Sequence, residues 1–387
     1  LPPPPPLPRP PHMTGRLRIG YFSADFHDHA TMYLMARLFE LHDRDRFAVH
    51  AYSYGPDQDD AMRRRLRGAV EEFRDIRHLG DRDVAELARR DAIDIAIDLK
   101  GYTNGTRSGI FAFRPAPVQI SYLGYAGTMG ADFIDYIVAD PVVIPPRLRD
   151  AYSEKIISLP HSYMANDDRR PIADRPVTRA DMGLPEHAFV FACFNNSYKI
   201  SAELFDIWMR LLGKVEGSVL WLLRANRWTQ ANLAREAARR GIDPARLVFA
   251  DKLAQAEHLA RQHLADLFLD TFAFNAHTTA SDALWGGLPV VTKLGESFSA
   301  RVAGSLLSGV GLPELITHSA QDYERLAFEL TTDRDRLAGI RAKLAAQRLT
   351  APLFDSARFT RHIEQGYIEA YRRHVEGHPP DHIDIAP

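Results

Sequence analysis

The stretch Asp270-Thr271-Phe272-Ala273-Phe274-Asn275-Ala276-His277-Thr278-Thr279-Ala280-Ser281-Asp282 carries the clearest chemistry in the sequence. An apolar run ends near Leu269, a loop of small residues follows, and a helix is expected from about Thr278. Free N–H groups and the dipole make a helix N-terminus attractive to anions. Two threonine hydroxyls add donors, so the stretch reads as a diphosphate cradle. Helix capping alone would also account for the threonine pair. A second anion ligand is Lys199, in the loop Asn195-Asn196-Ser197-Tyr198-Lys199 after another apolar run. Lysine is scarce, with seven against 41 arginines. A compact ammonium there can neutralise a phosphate or a leaving-group anion, although a solvated loop lysine is the plainer reading. The loop Ser23-Ala24-Asp25-Phe26-His27-Asp28-His29 packs two histidines beside two aspartates. A histidine there suits a general base, a metal ligand or an ordinary hydrogen-bonded loop residue. Two glycine-bearing loops, Lys100–Gly105 and Gly124–Gly130, also follow apolar runs. Glycine lets the backbone approach a ligand closely, though plain connections explain both loops equally well.

Other chemistries are excluded by spacing. There is no GxGxxG, no Walker sequence, no HExxH and no CxxC, and Cys193 is the single cysteine. Three Asp-Arg-Asp triplets, at 43–45, 81–83 and 333–335, lie in charged turns or helix starts rather than at the end of an apolar strand, so they read as solvated surface. No metal is expected. With 48 Lys+Arg against 50 Asp+Glu, the chain lacks the basic surplus of a phosphate-neutralising nucleic-acid binder. No apolar run reaches the length of a membrane span, no basic amphipathic helix suggests membrane docking, and no signal peptide opens the sequence. A cytoplasmic location is the default. The absence of an initial Met suggests a piece of something longer.

These loops must be positioned by alternating strands and helices. The expected strands are Leu17–Phe22, Phe47–Tyr54, Ile93–Leu99, Val118–Leu123 and Tyr136–Val138, then Phe189–Phe194, Ser218–Leu223, Leu247–Ala250, Asp266–Leu269 and Pro289–Val291. Helical patterns separate them, which predicts mostly parallel sheets covered on both faces. The division is a Pro-rich linker over 1–14, a first Rossmann-like lobe over 15–165 on the acceptor side and a hinge over 166–181. A second, donor-side lobe follows over 182–355, and then a C-terminal helix and tail over 356–387. Two doubly wound domains facing across a cleft leave the crevice at the strands' carboxyl ends as the ligand site. A lysine and a helix N-terminus in one domain and a histidine in the other suit expulsion of a nucleoside diphosphate from a sugar, without a metal.

The segments RLRIGYFSADFHDHAT, LKGYTNGTRSGIFAFRPAPVQISYLGYAGTMGADFIDYIVAD, FNNSYKI and LDTFAFNAHTTASDALWGGLPVVT resemble the catalytic region of the O-GlcNAc transferase/SPINDLY family. The likeness runs from about Leu17 to Pro380. The resemblance implies an α/β GT-B fold and an inverting, metal-independent transfer of N-acetylglucosamine from UDP-GlcNAc to Ser/Thr hydroxyls of proteins, with no cofactor. It implies His29 as the active-site histidine, proposed as general base, and Lys199 on the donor diphosphate. His277, Thr278 and Thr279 fall on the phosphates, Asp282 on the ribose, and His258 and Arg261 on the uracil. Asn196 and Tyr198 fall near the diphosphate and sugar, and Leu123 and Gly124 in the sugar-side loop of the first domain. Expected partners are protein or peptide acceptors and a UDP-sugar, with neither nucleic acid nor membrane. Tetratricopeptide repeats are expected upstream. The lysine that the family's animal members carry three residues before the uracil histidine is Gln255 here, and their cysteine three residues before the phosphate-loop histidine is the bulkier Phe274. These two departures keep a UDP-sugar-binding scaffold and another donor, such as GDP-fucose, as alternatives.

Overall fold

The computed structural model describes residue 7 and residues 15–387, so most of the segment expected as a linker over 1–14 lies outside the described residues. The chain forms two compact units. One runs to Asp168 and takes back Asp355–Pro387; the other is Arg169–Phe354.

The first unit alternates β1 (Leu17–Ser23), α1 (Ala30–Leu41), β2 (Phe47–Ser53), α2 (Ala61–Ala69), β3 (Glu72–Asp75), α3 (Asp81–Arg90), β4 (Ile95–Asp98), α4 (Gly109–Ala112), β5 (Val118–Ser121), β6 (Tyr136–Ala139) and β7 (Lys155–Ser158). In the second follow β8 (Val190–Cys193), α5 (Ala202–Lys214), β9 (Val219–Leu223), α6 (Arg227–Arg239), β10 (Leu247–Ala250), α7 (Gln255–Ala260), β11 (Leu267–Leu269), α8 (Thr278–Trp285), β12 (Val290–Lys293), α9 (Val302–Gly309), β13 (Ile316–Thr317), α10 (Ala320–Thr332) and α11 (Arg334–Gln347). The chain ends with α12 (Ser356–Val375) and β14 (Ile383–Asp384), both in the first unit.

Both sheets are parallel throughout. The first has the order β14-β7-β6-β5-β4-β1-β2-β3 and the second β10-β9-β8-β11-β12-β13. Strands covered by helices on both faces have no wet side, which is why β2 and β4 are buried along their whole length and β1 at every position but Arg18. Phe22 and Tyr52 stack between β1 and β2 with ring centroids 4.4 Å apart. The order reverses direction beside the first strand of each sheet, between β1 and β4 and between β8 and β11. Such switch points leave a crevice at the carboxyl ends, where ligands of open α/β sheets bind.

The expected strand positions are occupied, but β3, β7, β13 and β14 are additional. Each is short, and β3 (EFRD) is a polar sheet edge, so none produces an apolar run. The three Asp-Arg-Asp triplets do structural tasks. Asp43 accepts from the Asp45 amide, Asp81 pairs with Arg107, and Asp333 caps α11.

Helix α12 is tied into the first unit by a buried relay. Tyr21 Oη donates to His42 Nε2 at 2.8 Å, His42 Nδ1 donates to Glu364 Oε1 at 2.9 Å, and the Asp43 amide donates to the same oxygen at 2.9 Å. Burial lowers the His42 pKa, so the ring works as a neutral donor and acceptor. Truncating Glu364 to Ala strands the buried His42 donor and the half-buried Asp43 amide. The expected loss is about 3 kcal/mol of unfolding free energy, read by urea titration. A change below about 0.5 kcal/mol would contradict this anchoring role.

Candidate functional site

In the second unit the switch-point loops after β8 and β11 converge on one buried carboxylate. Asp270 Oδ1 accepts the Thr271 amide at 2.7 Å, and the Ala276 amide donates to the same oxygen. Thr292 Oγ1 donates to Oδ2 at 2.6 Å. Burial pushes the Asp270 pKa up to about 6, while these donors and Lys199 pull it down. Asn195, buried after β8, donates through Nδ2 to Thr271 Oγ1 at 2.8 Å. Its Oδ1 accepts from Thr279 Oγ1. The loop 271–277 is thereby fixed in front of α8. The Thr278 and Thr279 amides precede the first intrahelical bonds, which run from the Ala280 and Ser281 amides to His277 O.

Lys199 projects its Nζ onto Asn275 O at 2.8 Å and lies 4.1 Å from the Phe274 ring centroid. Burial lowers its pKa to about 8, against the opposing pull of Asp270. A half-buried ammonium beside helix-end amides that lack intrahelical partners is an arrangement suited to an anion. His277 stacks on Phe274 at 4.6 Å, and its Nε2 donates to Ser299 O at 3.1 Å. Burial and Lys199 bring the ring down to about 3, so it is neutral.

Other expected contacts have different geometry. The Thr279 hydroxyl is committed to Asn195 and acts as a strut. Arg261 is only 1% exposed. Its Nη2 donates to His258 Nδ1 at 2.7 Å and its Nη1 to Asp251 O at 2.6 Å, so its guanidinium supports His258 from behind. Burial, reinforced by Arg261, lowers the His258 pKa to about 3. Tyr198 is 76% exposed and Asn196 is exposed beside it. Asp282 is buried, with its Oδ1 held by Arg170 Nη1 at 2.8 Å and Gln255 Nε2 at 3.1 Å. Its Oδ2 lies 3.9 Å from His258 Nε2.

The first unit has its own cluster at the β1/β4 switch point. Asp25 Oδ2 accepts from Lys100 Nζ at 2.8 Å, with both groups buried. His29 caps α1, its Nδ1 accepting the Thr31 amide at 3.2 Å and lying 3.6 Å from Asp25 Oδ2. An amide can only donate, so the proton of the neutral ring sits on Nε2. Burial, helped by Lys100 and His27, lowers the His29 pKa against the pull of Asp25. Leu123 has a φ of 69°, a strained value for a bulky residue. The adjoining Gly124 is forced by space, since a Cβ there would meet Leu99 O at 2.0 Å. This turn is thereby clamped onto the strand end that carries Lys100.

Asp25, Lys100, Asp270 and Arg170 were not among the expected site residues. Asp25–Lys100 and Arg170–Asp282 are pairs distant in sequence, which no local spacing reveals. For Lys100 the available signals are its scarce residue type and its place in a glycine-bearing loop after an apolar run. Among the described residues, no group of three or more His, Cys, Asp or Glu side chains could hold a metal ion, and no helix is long and apolar enough to cross a membrane.

The profile described as Glycosyl transferase family 41 matches residues 7–175 and 173–363. The chain is 39% identical over 377 residues to an Arabidopsis thaliana protein named probable UDP-N-acetylglucosamine–peptide N-acetylglucosaminyltransferase SEC, covering 96% of this chain and 38% of that one. It is 32% identical over 480 residues to the Caenorhabditis elegans UDP-N-acetylglucosamine–peptide N-acetylglucosaminyltransferase, covering 95% and 42%. The chain thus spans about two fifths of these curated relatives. Among solved structures, a mutant of the Thermobaculum terrenum O-GlcNAc transferase superposes with a TM-score of 0.88 at 33% identity, over 97% of this chain and 71% of that one. Anabaena HepE in complex with UDP and glucose gives 0.61 at 14% identity, over 92% and 100%, a likeness of fold alone.

The cap on α1 makes the His29 tautomer measurable. Long-range proton–nitrogen spectra are expected to show an unprotonated Nδ1 and a protonated Nε2 near neutral pH. The reverse pattern would contradict the capping geometry.

Proposed function

The chain belongs to glycosyl transferase family 41, and from that premise we propose that it moves N-acetylglucosamine from UDP-GlcNAc to Ser/Thr hydroxyls of proteins, by inverting displacement and without a metal. The fold is the α/β GT-B architecture with two Rossmann-like units. The observation that carries the reading is the Lys199 ammonium beside the open Thr278 and Thr279 amides, on a loop held by Asp270. In this reading the acceptor oxygen bonds to the anomeric carbon as the bond from that carbon to the diphosphate oxygen breaks. The acceptor proton leaves, and the negative charge gathers on the diphosphate, where Lys199 and the amides stabilise it. The His258 ring meets the uracil, with Arg261 holding it in place. Asp282 Oδ2 takes the ribose hydroxyls.

His29 is the candidate base for the acceptor proton. Accepting it at Nε2 first requires the resident proton to move to Nδ1, where Asp25 would stabilise it. That shift releases the Thr31 cap, at a cost of about 1 kcal/mol, which leaves the role feasible. Protein acceptors, upstream tetratricopeptide repeats and a cytoplasmic setting belong to the same proposal.

Phe274 favours a second donor reading. Its ring is 36% exposed and packed against Lys199 and His277, and with the diphosphate on Lys199 it would take up room beside the sugar. A donor without an N-acetyl group, such as GDP-fucose, would ask for less of that room.

Radiolabel transfer to a Ser/Thr peptide library from UDP-GlcNAc, UDP-glucose and GDP-fucose separates the two. UDP-GlcNAc is expected to lead, and the reaction is expected to survive chelators; exclusive use of GDP-fucose would overturn the main reading. Lys199→Met should lower kcat by about a hundredfold or more while the fold still melts cooperatively; near-normal turnover would remove Lys199 from the chemistry. Because the Lys199 ammonium starts to discharge near pH 8, UDP affinity should be level below that value and weaken by up to about tenfold per unit above it. Lys199→Arg, which keeps its charge, should flatten that limb; a limb that persists would assign it to another group.

A further inference from the structure

Arg170 is the second residue of the Arg169–Phe354 unit, in a polar segment whose composition suggests only a connector. Its side chain nevertheless runs inward. Residue exposure is 4%, and the guanidinium lies 5.3 Å from the Trp285 ring centroid and 5.9 Å from that of Phe354. Trp285 Nε1 donates to the Arg170 carbonyl at 3.2 Å, which fixes the backbone as well. The planar head is thus placed by two aromatic rings and directed along one side of α8. Its Nη1 donates to Asp282 Oδ1 at 2.8 Å and its Nη2 to Ser281 Oγ at 3.1 Å.

The consequence falls on Asp282. Burial raises the pKa of this carboxyl, and Arg170 is the leading influence that lowers it again, followed by Gln255. Both Arg170 and Gln255 bond to the same oxygen, Oδ1. Oδ2 therefore faces the His258 side, 3.9 Å from His258 Nε2, and among the described residues it accepts no hydrogen bond. A buried carboxylate with one oxygen saturated and the other turned toward the histidine expected at the base is suited to accept hydroxyl donors.

We propose that Arg170 is a positioning residue for ribose recognition: by holding Asp282 Oδ1 it fixes the carboxylate and presents Oδ2 to the ribose hydroxyls of the bound nucleotide. The proposal rests on the reading of this unit as a uridine diphosphate site. It adds that selectivity for a hydroxylated ribose originates in the segment at the start of the unit, outside the helices that frame the site. A site built to bond a hydroxyl rejects an analogue that lacks it, because its own polar group is left unpaired.

The test compares the Kd of UDP with that of 2′,3′-dideoxyuridine diphosphate by calorimetry. The wild-type chain is expected to prefer UDP by about tenfold or more, and Asp282→Asn to lose most of that preference. Arg170→Gln is expected to bring the ratio to within about twofold of unity. Arg170→Lys keeps a cation without the paired donors and should fall in between. Adding Gln255→Lys to Arg170→Gln supplies a cation within reach of Oδ1 and should restore part of the preference, a rescue that a purely structural role would not give. A wild-type ratio in Arg170→Gln, or in Arg170→Lys if the Gln variant fails to fold, would overturn the proposal while leaving the nucleotide site intact. Absence of UDP binding by the wild-type chain would instead overturn the reading on which it rests.

Discussion

A carboxylate enclosed in protein must be surrounded by donors or give up its charge, and Asp270 meets that demand by drawing in the backbone that follows it. Its oxygens take the Thr271 and Ala276 amides and the Thr292 hydroxyl, and its own carbonyl accepts the Tyr323 hydroxyl at 3.0 Å. The loop between β11 and α8 therefore has little freedom left. The start of α8, the carbonyl that Lys199 grips and the stacked Phe274–His277 pair all take their places from it. Neutralising this one group would loosen the loop that leads into the Thr278 and Thr279 amides, so the start of α8 and the local core share a single electrostatic origin.

The first unit solves a related problem with an internal cation. At its switch point Asp25 is buried against Lys100 and lies beside a histidine whose ring already serves as a helix cap. That arrangement leaves Nε2 as the ring's donor and ties its tautomer to the stability of α1. The clamped Leu123–Gly124 turn adds a strained backbone at the neighbouring strand end. Strain of this kind persists only where the surroundings over-determine it, which fits a loop whose backbone must stay in one place.

Much of this organisation could be read before any coordinates. Apolar runs separated by helical patterns announce a parallel sheet, and the small-residue loop before Thr278 announces a helix start, because both signals are local. Roles that depend on long-range partners escaped such reading. Thr279 looks like a free hydroxyl until Asn195, far away in sequence, is found to take it. Arg261 is a separate case, for its partners His258 and the Asp251 carbonyl are near in sequence and only its burial is a tertiary effect. Arg170 sits among Asp, Arg and Pro residues typical of a surface connector, and only the aromatic rings of Trp285 and Phe354 reveal its direction. The short strands β3 and β14 are set by neighbours that supply hydrogen bonds, with no apolar pattern of their own.

The most direct measurement is a crystal structure of the chain with UDP. The account predicts diphosphate oxygens within hydrogen-bond distance of the Thr278 and Thr279 amides, and Lys199 Nζ turned from Asn275 O onto the same group. A diphosphate bound elsewhere, with Lys199 still on the Asn275 carbonyl, would contradict it.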